Sequence, residues 1–318
     1  MKIIALGKLY NYKSFFLQGV IEGTTQNGWE AIPLEFIDEP LDRIKEIIIS
    51  NKSDYIFCHM AFSNEGSKQD SKLQMLREVK EKTGTKIFYH MGDPRVMPRY
   101  EGNVSNVFDG ALMGSVEWEG FKIWGIPLYY WPYGCFKQDK MIEREQIYDL
   151  IFTGTLSINY LYQDRTRFIR MLGEHFNLEI FPSDNHPENT SFDTSKMSAL
   201  TRGVINVQGR HDIDMYFSVR PFQYCGAGAL NFQMYGKGME KVFEDKKHLL
   251  FIRGFNVDEV KELYKYYIED HPKEGHKIRE QAFKYCQKNH TYQIRMKDLI
   301  EVIEGKRDRV RYLLEDFK

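Results

Sequence analysis

Strand signals and helix signals alternate along most of this 318-residue chain. Short apolar runs bounded by Gly, Pro, Asp or Asn are separated by segments with the periodicity of an amphipathic helix, such as 41–49 and 73–82. Strands that alternate with helices form parallel sheets whose two faces the helices cover. The predicted strands lie at residues 2–6, 31–36, 55–60, 86–90, 110–113, 127–131, 150–153, 178–181, 204–207, 229–232 and 248–252.

The length of the chain is that of two typical domains rather than one. A polar stretch at 134–146 separates the first run of alternating signals from the second. We therefore predict a Rossmann-like domain at 1–140, a second at 141–290, and a helical tail at 291–318 that is interrupted near Gly305. The predicted fold class is α/β, with two doubly wound domains and a cleft between them, where ligands tend to bind.

Charge and cysteine usage exclude several classes of protein. The net charge of −1 provides no overall field that would attract nucleic acid or an anionic membrane. Cys58, Cys135, Cys225 and Cys286 are scattered without a C-x-x-C pair, which argues against a disulfide framework or a structural zinc site. No apolar run reaches the length that spans a bilayer. We expect a cytoplasmic protein without membrane insertion.

The segment Ser218–Gly228 has the pattern of a loop, a short helix and a glycine-rich turn between two strands. In open α/β sheets, such a unit directs backbone N–H groups toward phosphorylated ligands. The guanidinium of Arg220 can donate two parallel hydrogen bonds to a diphosphate. Gln223 lies about one helical turn later on the same face. Gly226 and Gly228 would permit close approach of the backbone. The alternative is a structural Arg220 with a carboxylate partner, followed by an ordinary turn.

A second candidate for phosphate contact is the end of the strand at 150–153. Gly154 and Thr155 follow that strand directly, and a glycine there lets the backbone approach a ligand closely. Arg165 and Arg167 begin the next predicted helix, where the helix dipole disfavours a cation unless an anion is near. The chain contains neither G-x-G-x-x-G nor a Walker motif, so a dinucleotide or Walker-type NTP site is not predicted.

The second half of the chain contains several motifs in a fixed order, and the segment at Ser218 is the first of them. They are Ser218-x-Arg220-x-Phe222-Gln223, Phe243-Glu-Asp, the tyrosine-bearing helix 257–267, and Asn289-His290-Thr291-Tyr292-x-x-Arg295. As an ordered set these motifs resemble the CgeB-type glycosyltransferase-like family, which is related to the GT-B glycosyltransferases. The first half resembles the family only in the order of its strands and helices.

The resemblance implies two Rossmann-like domains, a nucleotide-sugar donor held mainly by the second, and a tail that returns to the first. It further implies that Gly154 and Thr155 approach the diphosphate, that Arg220 neutralises it, and that position 223 faces the ribose. Family members carry glutamate where this chain has Gln223, and the wider GT-B group carries another glutamate at the position of Met215. A UDP-sugar is the default expectation for the donor.

No metal ion or resident cofactor is expected, because arginines and backbone N–H groups can neutralise a leaving diphosphate. Asp212-Ile-Asp214 has the D-x-D pattern by which GT-A enzymes hold a divalent cation. The motif is short and common, and nothing else in the chain fits a GT-A sheet. We therefore interpret it as an exposed loop.

Candidates for the catalytic base end two strands of the first domain. Asp93 is the first choice, His90 the second and His59 the third, because each could take a proton from an acceptor hydroxyl. The alternatives are a partly buried histidine for His59 and a turn cap for Asp93. Residues expected on the acceptor side are Arg95, Arg99 and Tyr100.

The sequence thus predicts transfer of a sugar from a nucleotide-diphosphate donor to a hydroxyl group. The acceptor is either a hydroxymethylated pyrimidine base in phage DNA, for which the enzyme would flip the base out of the duplex, or a cell-surface or spore-coat glycan or protein. The Lys-, Asn-, Ile- and Tyr-rich composition fits a phage protein. A non-catalytic sugar-nucleotide or glycan-binding protein is the alternative, which Gln223 and Met215 favour.

Overall fold

A computed structural model describes residues 1–7, 15–35, 39–59, 66–91, 106–114, 122–123, 125–142, 145–154, 156, 162–181 and 194–318 of the chain. These residues divide into two compact units. Unit 1 comprises Met1–Pro132 and Tyr292–Val310, and unit 2 comprises Tyr133–Thr291 and Arg311–Lys318. The chain therefore leaves unit 1 after Pro132, re-enters it at Tyr292, and returns to unit 2 for its last residues.

Seven strands of unit 1 form one sheet within the described residues, in the order β2-β1-β3-β4-β5-β7-β6. Neighbours pair in parallel except β6 and β7, which are antiparallel. Their bounds are Lys2–Gly7 (β1), Glu30–Glu35 (β2), Tyr55–His59 (β3), Lys86–His90 (β4), Gly110–Met113 (β5), Lys122–Ile123 (β6) and Ile126–Tyr130 (β7). Phe15–Gln26 (α1), Leu41–Asn51 (α2) and Gly66–Thr83 (α3) are its first helices. The central strands are buried because helices cover the sheet.

Unit 2 contains a parallel sheet whose described strands follow the order β12-β11-β10-β8-β9. The bounds are Tyr148–Thr153 (β8), Leu178–Phe181 (β9), Thr201–Asn206 (β10), Asn231–Met234 (β11) and Leu250–Ile252 (β12). Its helices are Gln163–Gly173 (α4), Thr194–Ala199 (α5), Arg220–Ala227 (α6), Val257–Tyr264 (α7) and Pro272–Asn289 (α8). A π-helical turn, Lys265–Asp270, joins α7 to α8. The strand order reverses beside β8, and ligands of open α/β sheets bind at such a reversal.

The helix Tyr292–Ile303 (α9) packs against α1 at the start of unit 1. Two glycines of α1 make this contact possible: a Cβ on Gly19 would lie 2.2 Å from Tyr292 Cε1, and one on Gly23 would lie 2.3 Å from the Tyr292 carbonyl oxygen. Asn27 donates a hydrogen bond of 2.8 Å to the carbonyl of Gln293. The C-terminal segment thus completes the helical layer of unit 1.

The observed elements confirm the predicted fold class of two parallel α/β sheets. The strands predicted at 86–90, 110–113 and 178–181 occur with those bounds, and most others differ by one or two residues. The helix predicted at 257–268 becomes π-helical from Lys265, and the C-terminal helix ends at Ile303, before Gly305 with its φ of 71°. No helix among the described residues is long and apolar enough to cross a membrane.

Candidate functional site

The carboxyl end of β8 in unit 2 brings together Thr153, Gly154 and Arg220. Arg220 begins α6, and its Nη1 donates a hydrogen bond to the Thr153 carbonyl while its Nε donates to the Ser218 hydroxyl at 3.2 Å. Gly154 has a φ of 147°, and a Cβ there would lie 2.6 Å from Arg220 Nη1. A residue with a side chain would be strained at this φ and would displace the guanidinium, so the position requires glycine.

Arg165 lies beside the same strand end. It is 5% exposed, and its guanidinium carbon lies 4.1 Å from the ring centroid of Tyr162 and 5.8 Å from that of Phe152. The guanidinium carbon of Arg220 lies 6.0 Å from the same Phe152 ring. Cations are attracted to the faces of aromatic rings at these distances. The guanidinium groups of Arg165 and Arg220 therefore both lie near the buried Phe152 ring at the end of β8.

The charge of Arg220 is not balanced by a carboxylate within the part of the chain that the structure describes. Its described polar contacts are the Thr153 carbonyl and the Ser218 hydroxyl. Burial lowers the pKa of Arg220 from its ordinary value, because a guanidinium loses hydration there. The group nevertheless stays charged at neutral pH. A partly buried cation at the beginning of a helix is stabilised by an anionic ligand.

Thr153 is held in place from α6 as well. The Tyr224 hydroxyl donates a hydrogen bond of 2.7 Å to Thr153 Oγ1, and burial raises the pKa of Tyr224 to about 12. Gln223 is 2% exposed and lies one turn after Arg220 on α6. Its contact with a ribose stays a prediction.

Gly226 and Gly228 lie at the other end of α6, and this corrects the expectation that they approach a phosphate beside Arg220. A Cβ on Gly226 would lie 2.4 Å from Cys135 Cβ, so this glycine makes room for the packing of Cys135. Gly228 ends α6 with a φ of 81°, and its carbonyl accepts a hydrogen bond of 2.7 Å from Arg279 Nε. Because α6 begins at the carboxyl edge of the sheet and runs back along it, its last residues lie near the amino edge.

Sequence reasoning missed polar residues at the ends of β10 and β11. Asn206 Nδ2 donates a hydrogen bond of 2.7 Å to Gln233 Oε1, and both side chains are fully buried. Gln208 is 2% exposed, and neither its amide nor Asn206 Oδ1 has a hydrogen-bond partner among the described protein atoms. A Cβ on Gly236 would lie 2.4 Å from Gln208 Nε2. Buried amides of this kind suit a ligand that carries hydroxyl groups.

His211 extends this group toward Arg165. Burial is the main reason that its pKa falls to about 4, and the charge of Arg165 contributes to the decrease. The imidazole is therefore neutral at neutral pH and can donate from one nitrogen and accept at the other. The signal that could have found Gln208 and His211 is their position directly after a central parallel strand, where ligands of open sheets bind.

The two histidines predicted as bases end β3 and β4 of unit 1. His90 is 1% exposed and stacks on Phe16 with a centroid distance of 3.9 Å, and burial holds its pKa well below its ordinary value. His59 is partly exposed, contacts His90 edge-on at 4.9 Å, and has a pKa lowered to about 4 by burial. Of the two side chains, His59 is the more exposed.

Five residues of the predicted site lie outside the described residues. They are Asp93, Arg95, Arg99, Tyr100 and Thr155. Their roles stay predictions.

The two carboxylates of the D-x-D pattern, Asp212 and Asp214, lie near basic side chains. Arg210 donates to both carboxylate oxygens of Asp212, and this hydrogen bonding lowers the pKa of Asp212 to about 2. Asp214 Oδ2 lies 4.0 Å from Lys241 Nζ. Within the described ranges, no cluster of three His, Cys, Asp or Glu side chains could hold a metal ion.

Residues 165–301 match the family described as "Glycosyl transferase-like". The match begins at Arg165 and includes α6, α7, α8 and most of α9. It therefore contains the arginines gathered at the end of β8. No curated protein sequence matches the chain significantly.

Nearly the whole chain is similar in fold to several solved structures. Alr3699/HepE of Anabaena, in complex with UDP-glucose, has a TM-score of 0.61 and 10% identity, over 96% of this chain and 100% of that one. BGT of phage T4, with UDP and Mn²⁺, has a TM-score of 0.62 and 13% identity over 95% and 99%. An α-glucosyltransferase in complex with UDP-glucose and DNA has a TM-score of 0.64 and 10% identity over 96% and 99%.

These likenesses confirm the predicted GT-B architecture. The family match, which is independent of the fold comparison, confirms the resemblance to glycosyltransferases. The narrower resemblance to CgeB-type proteins stays a prediction.

Proposed function

We propose that this chain is a nucleotide-sugar-dependent glycosyltransferase of the GT-B class, and that unit 2 binds a UDP-sugar with its diphosphate at the end of β8. The observation that carries the proposal is the pair of guanidinium groups of Arg165 and Arg220 on the Phe152 ring, beside Gly154. The solved structures that resemble the chain support UDP as the nucleotide, since they contain UDP or UDP-glucose.

The proposed reaction breaks the bond between the anomeric carbon and the diphosphate oxygen, and forms a bond between that carbon and an acceptor oxygen. The diphosphate leaves with the bonding electrons, and the acceptor hydroxyl loses its proton to a base. Arg165 and Arg220 would stabilise the charge that develops on the leaving group, which is the main requirement of such a transition state. Gln208, Asn206 and His211 would bind hydroxyl groups of the donor.

No metal ion needs to enter this scheme, although the related T4 enzyme was solved with Mn²⁺. Two desolvated guanidinium groups supply positive charge of the kind that a divalent cation would otherwise provide. We expect transfer to persist after treatment with a chelator. Loss of all transfer in the chelator, with recovery on adding Mn²⁺ alone, would contradict this expectation.

For the base we retain Asp93 as the first proposal, with His59 as the proposal among the described residues. His59 is neutral at neutral pH because burial lowers its pKa to about 4, so it can accept a proton. Burial of His90 behind Phe16 makes it a weaker candidate.

As the acceptor we propose a hydroxymethylated pyrimidine in DNA. The support comes from α-glucosyltransferase structures similar to this chain, which contain DNA and in one case a DNA 13-mer with an HMU base. The alternative acceptor is a hydroxyl group of a glycan or protein. A further alternative is a protein that binds the sugar nucleotide without transferring the sugar.

A panel of nucleotide sugars, incubated with DNA that contains hydroxymethylated pyrimidines, tests the proposal through release of the nucleoside diphosphate. The same panel with glycan acceptors distinguishes the second acceptor class. We expect Arg220→Lys to lower transfer by at least about tenfold, because lysine retains the charge but loses the fork onto the diphosphate. Tight donor binding without transfer to any acceptor would indicate the non-catalytic protein, and absence of donor binding would refute the proposed site.

A further inference from the structure

A second cavity that contains arginines lies at the opposite edge of the unit 2 sheet. Its volume is about 350 Å³, which is in the range of small-molecule sites. Gln146, which precedes β8, Arg202, which lies near the start of β10, and Leu230, which precedes β11, contribute to its lining. Tyr267 and Arg279 line it from the π-helical turn and from α8.

This cavity is distinct from the proposed donor site. All five strands of the sheet are parallel, so residues at the strand starts and residues at the strand ends lie on opposite edges. β8 has six residues, and at about 3.3 Å per residue the two edges are about 20 Å apart. A ligand bound at Gly154 therefore leaves the second cavity open.

Arg279 is the central feature of the cavity. Its Nε donates a hydrogen bond of 2.7 Å to the Gly228 carbonyl, and its Nη1 lies 3.4 Å from His276 Nδ1. Among the described residues, no carboxylate lies within ion-pair distance of this guanidinium. Burial lowers the pKa of Arg279 to about 10, because the loss of hydration outweighs the opposing charge of the nearby Glu280 carboxylate.

The adjacent carboxylate on α8 is directed to other groups. Glu280 contacts His276 at 3.4 Å and Lys284 at 3.8 Å. The Nε bond to Gly228 fixes the plane of the Arg279 guanidinium, and with Nη1 beside His276 it leaves Nη2 available to a ligand.

Arg202 provides a second guanidinium to the same cavity. It lies 3.9 Å from Asp149 Oδ1, which also accepts a hydrogen bond of 2.8 Å from the Tyr264 hydroxyl. A hydrogen bond with the Tyr264 hydroxyl is the main reason that the pKa of Arg202 is raised, and the carboxylates of Asp149 and Glu269 contribute less. The side chain of Arg202 remains 41% exposed, so it can turn toward a ligand while it stays near Asp149.

One wall of the cavity is apolar. Leu230, Ile268 and Pro272 line it, and the π-helical turn sets the position of Ile268. A Cβ on Gly275 would lie 2.2 Å from the Tyr267 carbonyl oxygen, so α8 packs directly on this turn. π-helical turns occur frequently at functional sites.

We propose that this cavity binds a small phosphorylated molecule, with its phosphate at Arg279 and Arg202 and its organic part against Leu230 and Ile268. Guanidinium groups suit phosphate because their forked N–H groups match its oxygens. The apolar wall suits an ester of phosphate better than the free ion. The proposal does not depend on the reaction that unit 2 supports at its other edge.

Titration calorimetry with glycerol 3-phosphate tests the proposal, with inorganic phosphate and glycerol as the comparison ligands. The protein carries Arg165→Ala and Arg220→Ala, which remove both guanidinium groups of the proposed donor site. We expect saturable binding of glycerol 3-phosphate below about 10 mM, and a dissociation constant at least about tenfold higher when Arg279→Gln is added. Lys277→Gln removes one charge from an exposed position of the same helix and should leave the affinity unchanged.

Arg202→Gln provides a second test if Arg279→Gln does not fold, as judged by circular dichroism. If Arg279→Gln lowers the affinity for inorganic phosphate as much as it lowers that for glycerol 3-phosphate, the result would support the anion site and identify the free ion as an adequate ligand. Absence of saturable binding, or binding that neither arginine substitution weakens, would overturn the proposal.

Discussion

The guanidinium of Arg220 donates a hydrogen bond to the carbonyl of Thr153, a residue 67 positions earlier in the chain. This bond joins the first turn of α6 to the last residue of β8. It also places a cation directly over Gly154, whose missing side chain leaves the space that the guanidinium occupies. The proposed diphosphate site therefore depends on an arginine and a glycine that only the folded sheet brings together.

Gly154→Ala should impair both folding and donor binding. The added Cβ would lie 2.6 Å from Arg220 Nη1, and the φ of 147° is unfavourable for alanine. A strained backbone of this kind costs about 1–3 kcal/mol, and displacement of Arg220 would weaken donor binding further. Thermal unfolding and calorimetry with UDP measure the two effects.

The control for this substitution is Gly173→Ala. A Cβ at Gly173 would approach no atom closer than 3.9 Å, in ordinary contact with Leu178. UDP affinity should then equal that of the wild type. Equal UDP affinity in Gly154→Ala would show that Arg220 does not contact the donor.

Arg165→Ala should raise the Michaelis constant for the donor by about tenfold or more, because a charge-assisted hydrogen bond to phosphate contributes about 1.5–3 kcal/mol. Arg167→Ala removes the same charge from the exposed side of α4 and should change the constant less than about twofold. Steady-state kinetics over a range of UDP-sugar concentrations separate the variants. Similar increases of the Michaelis constant in both variants would indicate that the arginines act through a general electrostatic field rather than through a specific contact with the donor.

Stability should decrease as the pH falls from 6.5 toward 4, and His248 is one reason. His248 is 3% exposed, and burial lowers its pKa from 6.5 to about 4. In this range the unfolded chain binds a proton that the folded chain does not, so the stabilisation present above pH 6.5 is lost on acidification. The loss from this residue between pH 7 and pH 5 is about 2 kcal/mol.

His248→Asn provides the test, because its side-chain oxygen can still accept the bond that the Glu244 N–H now donates to His248 Nδ1 at 3.1 Å. The variant loses the stacking on Tyr285 and should be less stable at pH 7. Its further loss between pH 7 and pH 5, measured by urea unfolding, should be smaller than that of the wild type by about 2 kcal/mol. If the variant and the wild type lost the same free energy of unfolding between pH 7 and pH 5, His248 would not be buried as a neutral group.

Gly19→Ala should destabilise unit 1. The new methyl group would lie 2.2 Å from Tyr292 Cε1, so α1 and α9 would have to separate, at a cost of about 1–3 kcal/mol. Thr25→Ala, at an exposed position of the same helix, is the control and should change stability by less than about 0.5 kcal/mol. Unchanged unfolding of the Gly19 variant would mean that α9 does not pack on α1 as described.

The sequence was sufficient for the order and kind of most elements, but it did not predict α1, α5 or the short antiparallel strand β6. Apolar runs such as 86–90 predicted strands because a strand buried on both faces needs no polar side, and the intervening periodic segments predicted the covering helices. Arg220 and Gly154 were predicted as donor-site residues from their positions at strand and helix ends, since ligands of open sheets bind there. These are local rules, and local rules can be applied without coordinates.

The sequence by itself determined two α/β sheets and a basic, glycine-containing segment after β10. Only the tertiary structure decided that Arg165 joins Arg220 on the Phe152 ring, that Gly226 and Gly228 serve the packing of α6, and that His90 lies behind Phe16. The physical reason is that a strand or helix forms from interactions between nearby residues. Burial and the contacts of a charged side chain depend instead on residues that are distant in the chain.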